Sequence, residues 1–306
     1  MMKRAIITGA TGAIGNALLR ELIARNVEVL VFIRDESKRN STIPEHPLIT
    51  KISCDLSQLA DIQNNSGKQY DVFFHLAWEG ALGPGRDDMY LQNRNVQYAL
   101  DAVGAASRFG CNTFIGAGSQ AEYGRYEGLL NAEVPVFPET GYGIAKLCAG
   151  LMSKIECKKY GMRHIWTRIL SIYGPYDGEK TMVSSTILKL LKGERPSLTL
   201  CEQKWDYLYC DDAARALILL AESGRDGKTY CIGSGQAHPL REYVEMIREK
   251  ANPSAELGIG EIAYGERQVM HLQADITELQ KDTGFMPEIS FEEGIKNTVV
   301  WMKSRI

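Results

Sequence analysis

The chain has 306 residues, of which 44% are hydrophobic and 24% charged, and its formal net charge is −3. That length allows one large α/β domain with an extension, or two modest domains. No basic surplus points to nucleic acid, and no apolar run approaches the roughly 18 residues that suggest a membrane span. The opening "MMKRAIITGATG" enters a strand and a glycine turn, unlike a signal peptide, so the cytoplasm is the default location. Seven cysteines lie scattered with no C-x-x-C pair, and the five histidines form no ligand cluster. Free thiols and no metal are expected.

In chain order, "RAIIT" (4–8) reads as a buried strand and 13–26 as a helix with Ile14, Leu18, Leu22 and Ile23 on one face. "EVLVFIR" (28–34), "LITKISCDL" (48–56) and "DVFFHLA" (71–77) read as further strands. A helix is expected over 95–110, a strand over 112–119, a helix over 141–160 and a strand over 163–170. This alternation predicts an α/β fold with a parallel, doubly wound sheet. Beyond 171–180 the pattern loosens. Helices are expected near 182–193, 211–223, 239–250 and 275–282, with strands near 198–200, 206–210 and 229–233. The last helix begins at Ser290, with Glu293 at capping-box spacing. The expected division is a dinucleotide-binding domain over 1–170 and a substrate lobe over 171–306, with segments near 206–235 returning to the first domain.

"TGATGAIG" (8–15) joins the first strand to the first helix. Gly9 permits the tight turn, Gly12 lets a pyrophosphate approach the backbone, and Gly15 lets the helix pack on the sheet. Free N–H groups and the helix dipole there favour an anion. At the end of the second strand, Ile33 stands where an NAD site would place an acid for the ribose 2′-hydroxyl. Arg34 follows, with Lys38 and Arg39 close behind. Arg34 suits a 2′-phosphate, or is a solvated loop charge; Asp35 is one residue from reversing the preference. The cofactor expectation is NADP first and NAD second. Asp55 is either an adenine partner or a turn residue.

Tyr142 and Lys146 lie at i and i+4, on one helical face. Upstream, "GSQAEYG" (118–124) places Ser119 at the end of a strand. Ligands of parallel sheets bind beyond those ends, so Ser119, Tyr142 and Lys146 can converge beside a nicotinamide. Lys146 as an ammonium is expected to lower the phenol's pKa. Tyr142 then moves a proton at a sugar or alcohol oxygen, Ser119 hydrogen-bonds that oxygen, and hydride passes to or from its carbon.

"TGATGAIG", "VFFHLAW", "GSQAEYG", "YGIAK", "RILSIYGP", "WDYLYCDDAARAL" and "DTGFMPEISFEEGI" occur together, in order, along the chain. In this the sequence resembles the extended short-chain dehydrogenase/reductases, the nucleotide-sugar epimerase/dehydratase/reductase family. The resemblance implies a Rossmann-type sheet with a smaller α/β substrate lobe. It implies Tyr142 as acid/base, Lys146 on the nicotinamide ribose and Ser119 as orienter. It extends the cofactor set to Thr11, Ala13, Ile14, Leu56, Leu76 and Ala77. A 4,6-dehydratase of this family carries an Asp–Glu pair where Gln120 and Ala121 stand, which disfavours elimination. Glu122 is open between a second acid/base and a turn residue. The expected reaction is NADPH-dependent reduction of a nucleotide-linked 4-keto-6-deoxy sugar. The runner-up is a nucleotide-sugar 4-epimerase holding NAD, and a non-catalytic dinucleotide-binding subunit is disfavoured because Tyr142 and Lys146 are both present.

On the substrate side, Ser171 and Trp205 stand where the family often has Asn and Arg, and Arg267 only approximates a later Arg. Trp78, Tyr173 and Trp205 are candidates to stack on base or sugar, against core packing for at least one. Gln120 and Glu122 complete the substrate set. "WEGALGPGRDD" (78–88) is either a mobile active-site loop or a plain surface loop. Helices 95–110 and 141–160 are the implied homodimer interface.

Overall fold

A computed structural model describes residues 2–306. Its strands are β1 (Arg4–Thr8), β2 (Glu28–Ile33), β3 (Ile49–Ser53), β4 (Val72–His75), β5 (Thr113–Ser119), β6 (Leu129–Leu130), β7 (Arg163–Ile169), β8 (Ser171–Tyr173), β9 (Lys204–Trp205), β10 (Tyr207–Tyr209), β11 (Lys228–Ile232), β12 (His238–Pro239) and β13 (His271–Ala274). Its helices are α1 (Ala13–Ala24), α2 (Met89–Arg108), α3 (Gly141–Lys159), α4 (Met182–Leu191), α5 (Cys210–Ser223), α6 (Leu240–Ala251), α7 (Thr277–Thr283) and α8 (Phe291–Lys303).

Seven parallel strands form the main sheet in the order β11-β7-β5-β4-β1-β2-β3. Strand β5 is buried along its whole length, as a strand covered on both faces must be. Helices α2 and α3 pack together, and α1 packs on α5. Strand order reverses between β1 and β4, so a crevice opens beyond their carboxyl ends, where such sheets bind ligands. The sheet is the Rossmann-type doubly wound α/β architecture expected from the motif order.

Two boundaries differ from expectation for identifiable reasons. Helix α2 starts at Met89, six residues early, because Asp88 accepts the N–H groups of Tyr90 and Leu91 through Oδ1. Its first turns hid from an apolar pattern because Gln92 and Asn95 are the buried residues there. The strand expected at 198–200 does not form; Ser197 makes only an isolated bridge to Gly258. Short strands β12, β9 and β13 of the second half and β6 of the first build a four-stranded mixed sheet.

Buried Asp206 ties β13 of that small sheet to the segment after β11. Its Oδ1 accepts the Ser234 N–H at 2.7 Å and hydroxyl at 2.6 Å, and its Oδ2 accepts the N–H groups of Gly235 and Ala274, each at 3.0 Å. All seven cysteines are free. No helix is long and apolar enough to cross a membrane, and no group of metal-ligating side chains assembles among the described residues.

Candidate active site

The crevice begins at the glycine turn. Gly9 has φ +80°, and a Cβ there would lie 2.7 Å from the Ala77 nitrogen. A Cβ on Gly15 would lie 2.2 Å from the Gly9 oxygen. Both glycines are therefore required by the protein's own packing. Gly12 is different: its Cβ would meet nothing closer than the Gly9 oxygen at 3.7 Å, and it lines the crevice. The space left by its missing side chain opens into the crevice. Helix α1 starts at Gly12 with no side-chain cap, so its first N–H groups are open to an anion. Gly12→Val should therefore keep the wild-type melting temperature but weaken dinucleotide binding at least ~10-fold, measured by titration. Equal affinity would remove the pyrophosphate from this turn.

The cleft of about 420 Å³ continues along Thr11, Ile33, Arg34, Ser37, Arg39, Asn40, Leu56, Leu76, Ala77 and Trp78. These residues fit a dinucleotide laid across the switch point. Ala13, Ile14 and Gly15 form the first turn of α1 behind Gly12. Arg34 is exposed and makes no ion pair among the described residues, so its charge is free. Asp55 spends its carboxylate on the Ser57 N–H, capping a short 3-10 turn, and lies on a neighbouring surface depression with Asp35.

Ser119 ends β5, and the N-terminal turns of α3 bring Tyr142 and Lys146 beside it. Thr140 caps that helix through the Gly143 N–H. Lys146 is buried; its Nζ donates to the Ala117 carbonyl at 2.6 Å and sits 3.7 Å over the Trp78 ring. Burial lowers its pKa to about 7, with the Glu122 charge opposing. The Tyr142 phenol is raised, not lowered as expected: burial dominates, while the Ser119 hydroxyl and the Arg86 cation pull it down. Arg86 was missed in the sequence. Its guanidinium lies 4.4 Å from the Tyr142 ring centre, nearer than Lys146 Nζ at 5.7 Å.

Glu122 is fully buried and is neither exposed acid nor substrate ligand. Its Oε1 accepts from the Ser119 N–H at 2.9 Å and Trp166 Nε1 at 3.0 Å, and its Oε2 from Arg168 Nε at 2.8 Å. The carboxylate is committed to holding the Ser119 turn against β7. Trp166 and Arg168 were also missed; they share one face of β7 at strand spacing.

The sequence profile described as the NAD dependent epimerase/dehydratase family matches residues 5–233. This chain belongs to the NAD-dependent epimerase/dehydratase family. It is 26% identical over 317 residues to a dTDP-glucose 4,6-dehydratase of Streptomyces griseus, covering 98% of this chain and 94% of that one. The solved UDP-N-acetylglucosamine 4-epimerase of Methanobrevibacter ruminantium superposes with a TM-score of 0.89 at 25% identity, covering 100% of this chain and 99% of that one. The UDP-glucuronic acid 4-epimerase of Bacillus cereus, solved with NAD, shares the fold with a TM-score of 0.84 at 18% identity, covering 98% and 96%. The cofactor class that goes with this family is a nicotinamide dinucleotide.

The epimerase/dehydratase family member divides its other expected substrate residues unevenly. Gln120 follows Ser119 and is partly exposed. Trp78 lines the cleft and meets the Tyr142 ring edge-on at 6.2 Å. Ser171 and Trp205 are joined by a 2.7 Å hydrogen bond from the indole to the hydroxyl. Arg267 is exposed and reaches the start of α3, donating to the Glu139 carbonyl at 3.1 Å. Tyr173 is a correction: it is buried among Tyr207, Tyr209 and Phe291, and its hydroxyl donates to the Phe291 carbonyl, so it belongs to the core.

The 78–88 segment is anchored by helix α2. Gln92 donates to the carbonyls of Gly80 and Gly85 and accepts from the Trp78 indole. Asn95 accepts from the Glu79 N–H and donates to its carbonyl. Two buried amides thus hydrogen-bond the glycine-rich loop to α2, with Trp78 and Arg86 beside Tyr142.

Proposed function

We propose that this protein inverts C4 of a nucleotide-linked sugar, with NAD retained in the cleft through turnover. The observation that carries this reading is the grouping of Tyr142, Ser119 and Lys146 at the end of β5, with Gln120 and Ala121 directly after Ser119. Eliminating water from the sugar needs a second acid; Gln120 and Ala121 stand in its place, and Glu122 is spent on Arg168 and Trp166. The dinucleotide, when bound, supplies a hydride acceptor that returns the hydride to the opposite face of the same carbon. Tyr142 takes the C4 hydroxyl proton as that bond is oxidised and gives it back on reduction. Ser119 hydrogen-bonds the same oxygen. The end-to-end similarity to a 4-epimerase and the NAD in a fold relative support this reading over net reduction.

A second reading is NADPH-dependent reduction of a 4-keto sugar. It is favoured by the adenosine end of the cleft, where Arg34, Ser37, Arg39 and Asn40 line the wall and no acid does. Denaturing the purified protein and identifying any released nucleotide separates the two. Stoichiometric NAD, with C4 interconversion in the absence of added cofactor, is the epimerase result. An empty protein that consumes NADPH against a 4-keto sugar is the reductase result and overturns the first.

We also infer a homodimer. Ile144, Leu151, Met152 and Ile155 are exposed on α3 at spacings that share one face, an apolar stripe that a second copy would cover. Sedimentation should report a dimer, and Leu151→Glu with Ile155→Glu a monomer. A wild-type monomer at micromolar concentration removes the interface.

A further inference from the structure

We propose that Arg39 is a latch that keeps the dinucleotide in the cleft: its guanidinium ties the glycine turn of the first half to the loop after β8 in the second. This rests on the reading above that the cofactor is retained through turnover. Arg39 lines the cleft together with Thr11 and Gly12. Its Nη2 donates to the Thr11 carbonyl at 2.8 Å and to the Tyr176 carbonyl at 3.0 Å. Thr11 belongs to the turn whose open N–H groups suit a pyrophosphate, whereas Tyr176 lies 137 residues beyond Arg39. One exposed side chain therefore joins the two halves of the molecule at that turn. Parting the halves there must break the bond to Tyr176, a charge-assisted one from an arginine that keeps its charge across the working pH range.

Both ends of the latch are anchored. Arg39 sits in the 3-10 turn Lys38–Thr42, where its own carbonyl accepts the Thr42 hydroxyl at 2.8 Å. The Thr42 carbonyl in turn accepts from the Asn16 amide of α1 at 3.0 Å. On the far side, Tyr176 has φ +66°, a conformation that a non-glycine residue keeps only when its surroundings hold it. Trp301 of α8 meets the Tyr176 ring edge-on at 4.9 Å, and Arg305 donates to the Tyr176 hydroxyl at 3.2 Å. Asp177, the next residue, is committed within its own loop: its carboxylate accepts the Thr181 hydroxyl at 2.7 Å and the Gly178 N–H at 2.8 Å. Arg34 provides the contrast. It lines the same cleft and is exposed, but among the described residues its side chain makes no hydrogen bond to the second half.

The test measures dinucleotide release rather than turnover. Full-length protein loaded with NADH is mixed with excess NAD, and the loss of bound-NADH fluorescence gives the dissociation rate. Arg39→Ala should release NADH at least about tenfold faster than the wild type, the usual effect of losing a charge-assisted hydrogen bond. The melting temperature of the unloaded protein should stay within about 2 °C, because the side chain is exposed. The faster release should persist at about 0.5 M salt, since both acceptors are neutral carbonyls, and Arg34→Ala should change the rate less than about twofold under that screening. A wild-type release rate in Arg39→Ala overturns the latch. So does an acceleration that salt abolishes or that Arg34→Ala matches, either of which makes Arg39 a plain counter-charge. A melting temperature that falls in step with faster release makes Arg39 a general brace and overturns it too. Wild-type protein that loses NADH faster than it turns over overturns the retention reading instead, while the ratio of the Arg39→Ala and wild-type rates still decides the latch.

Discussion

Tyr142→Phe should turn over a nucleotide sugar about 10²–10⁴-fold more slowly than the wild type, the usual cost of losing a positioned acid/base. The phenyl ring still fills the space between Trp78 and Arg86, so the fold and dinucleotide affinity should be unchanged. The rising limb of the pH profile should vanish with the phenol. A titration of bound dinucleotide beside steady-state rates checks both halves. Loss of binding together with loss of rate would mean that the hydroxyl is needed to build the cleft, and full rate would remove Tyr142 from the chemistry.

Glu122→Ala should destabilise the protein by about 3–5 kcal/mol, because it leaves the Arg168 charge buried without its partner. The Ser119 N–H and the Trp166 indole lose their acceptor in the same step. Replacing both members of the pair, Glu122→Leu with Arg168→Leu, should recover a large part of that loss, since two apolar side chains leave no buried charge behind. Urea denaturation of the three proteins measures the effect. A single variant within about 0.5 kcal/mol of the wild type would show that the pair holds nothing. The double variant should remain slow, because Ser119 would no longer be fixed from behind.

Much of this molecule is legible in its residue order. Strands such as "RAIIT" and "NTFIGAGS" are short apolar runs bounded by turn residues, and local pattern suffices to place them. The glycine turn is legible because backbone geometry demands glycine at Gly9 and Gly15 whatever surrounds them. Tyr142 and Lys146 are legible because helical spacing alone puts them together. The start of α2 was not, because Gln92 and Asn95 are buried to hold a loop rather than to fill a core, and an apolar-period reading passes over buried amides.

Residue order thus carried the β-α-β succession, the dinucleotide turn and the Ser119, Tyr142 and Lys146 grouping, all consequences of contacts within one element or between neighbouring ones. The partners of each charge depended on segments distant in the chain. Glu122 stays open between an acid/base and a turn residue until β7, more than forty residues later, brings Trp166 and Arg168 onto it. Tyr173 stays a candidate for stacking on a base or sugar, with core packing as the alternative, until Phe291 closes over it. Lys146 is paired with Tyr142 by helical spacing, and folding adds the Trp78 ring beneath its ammonium and the Arg86 guanidinium against the Tyr142 ring. An ionisable group's behaviour is set by what desolvates it and what charge lies within a few ångströms, and those neighbours are chosen by folding.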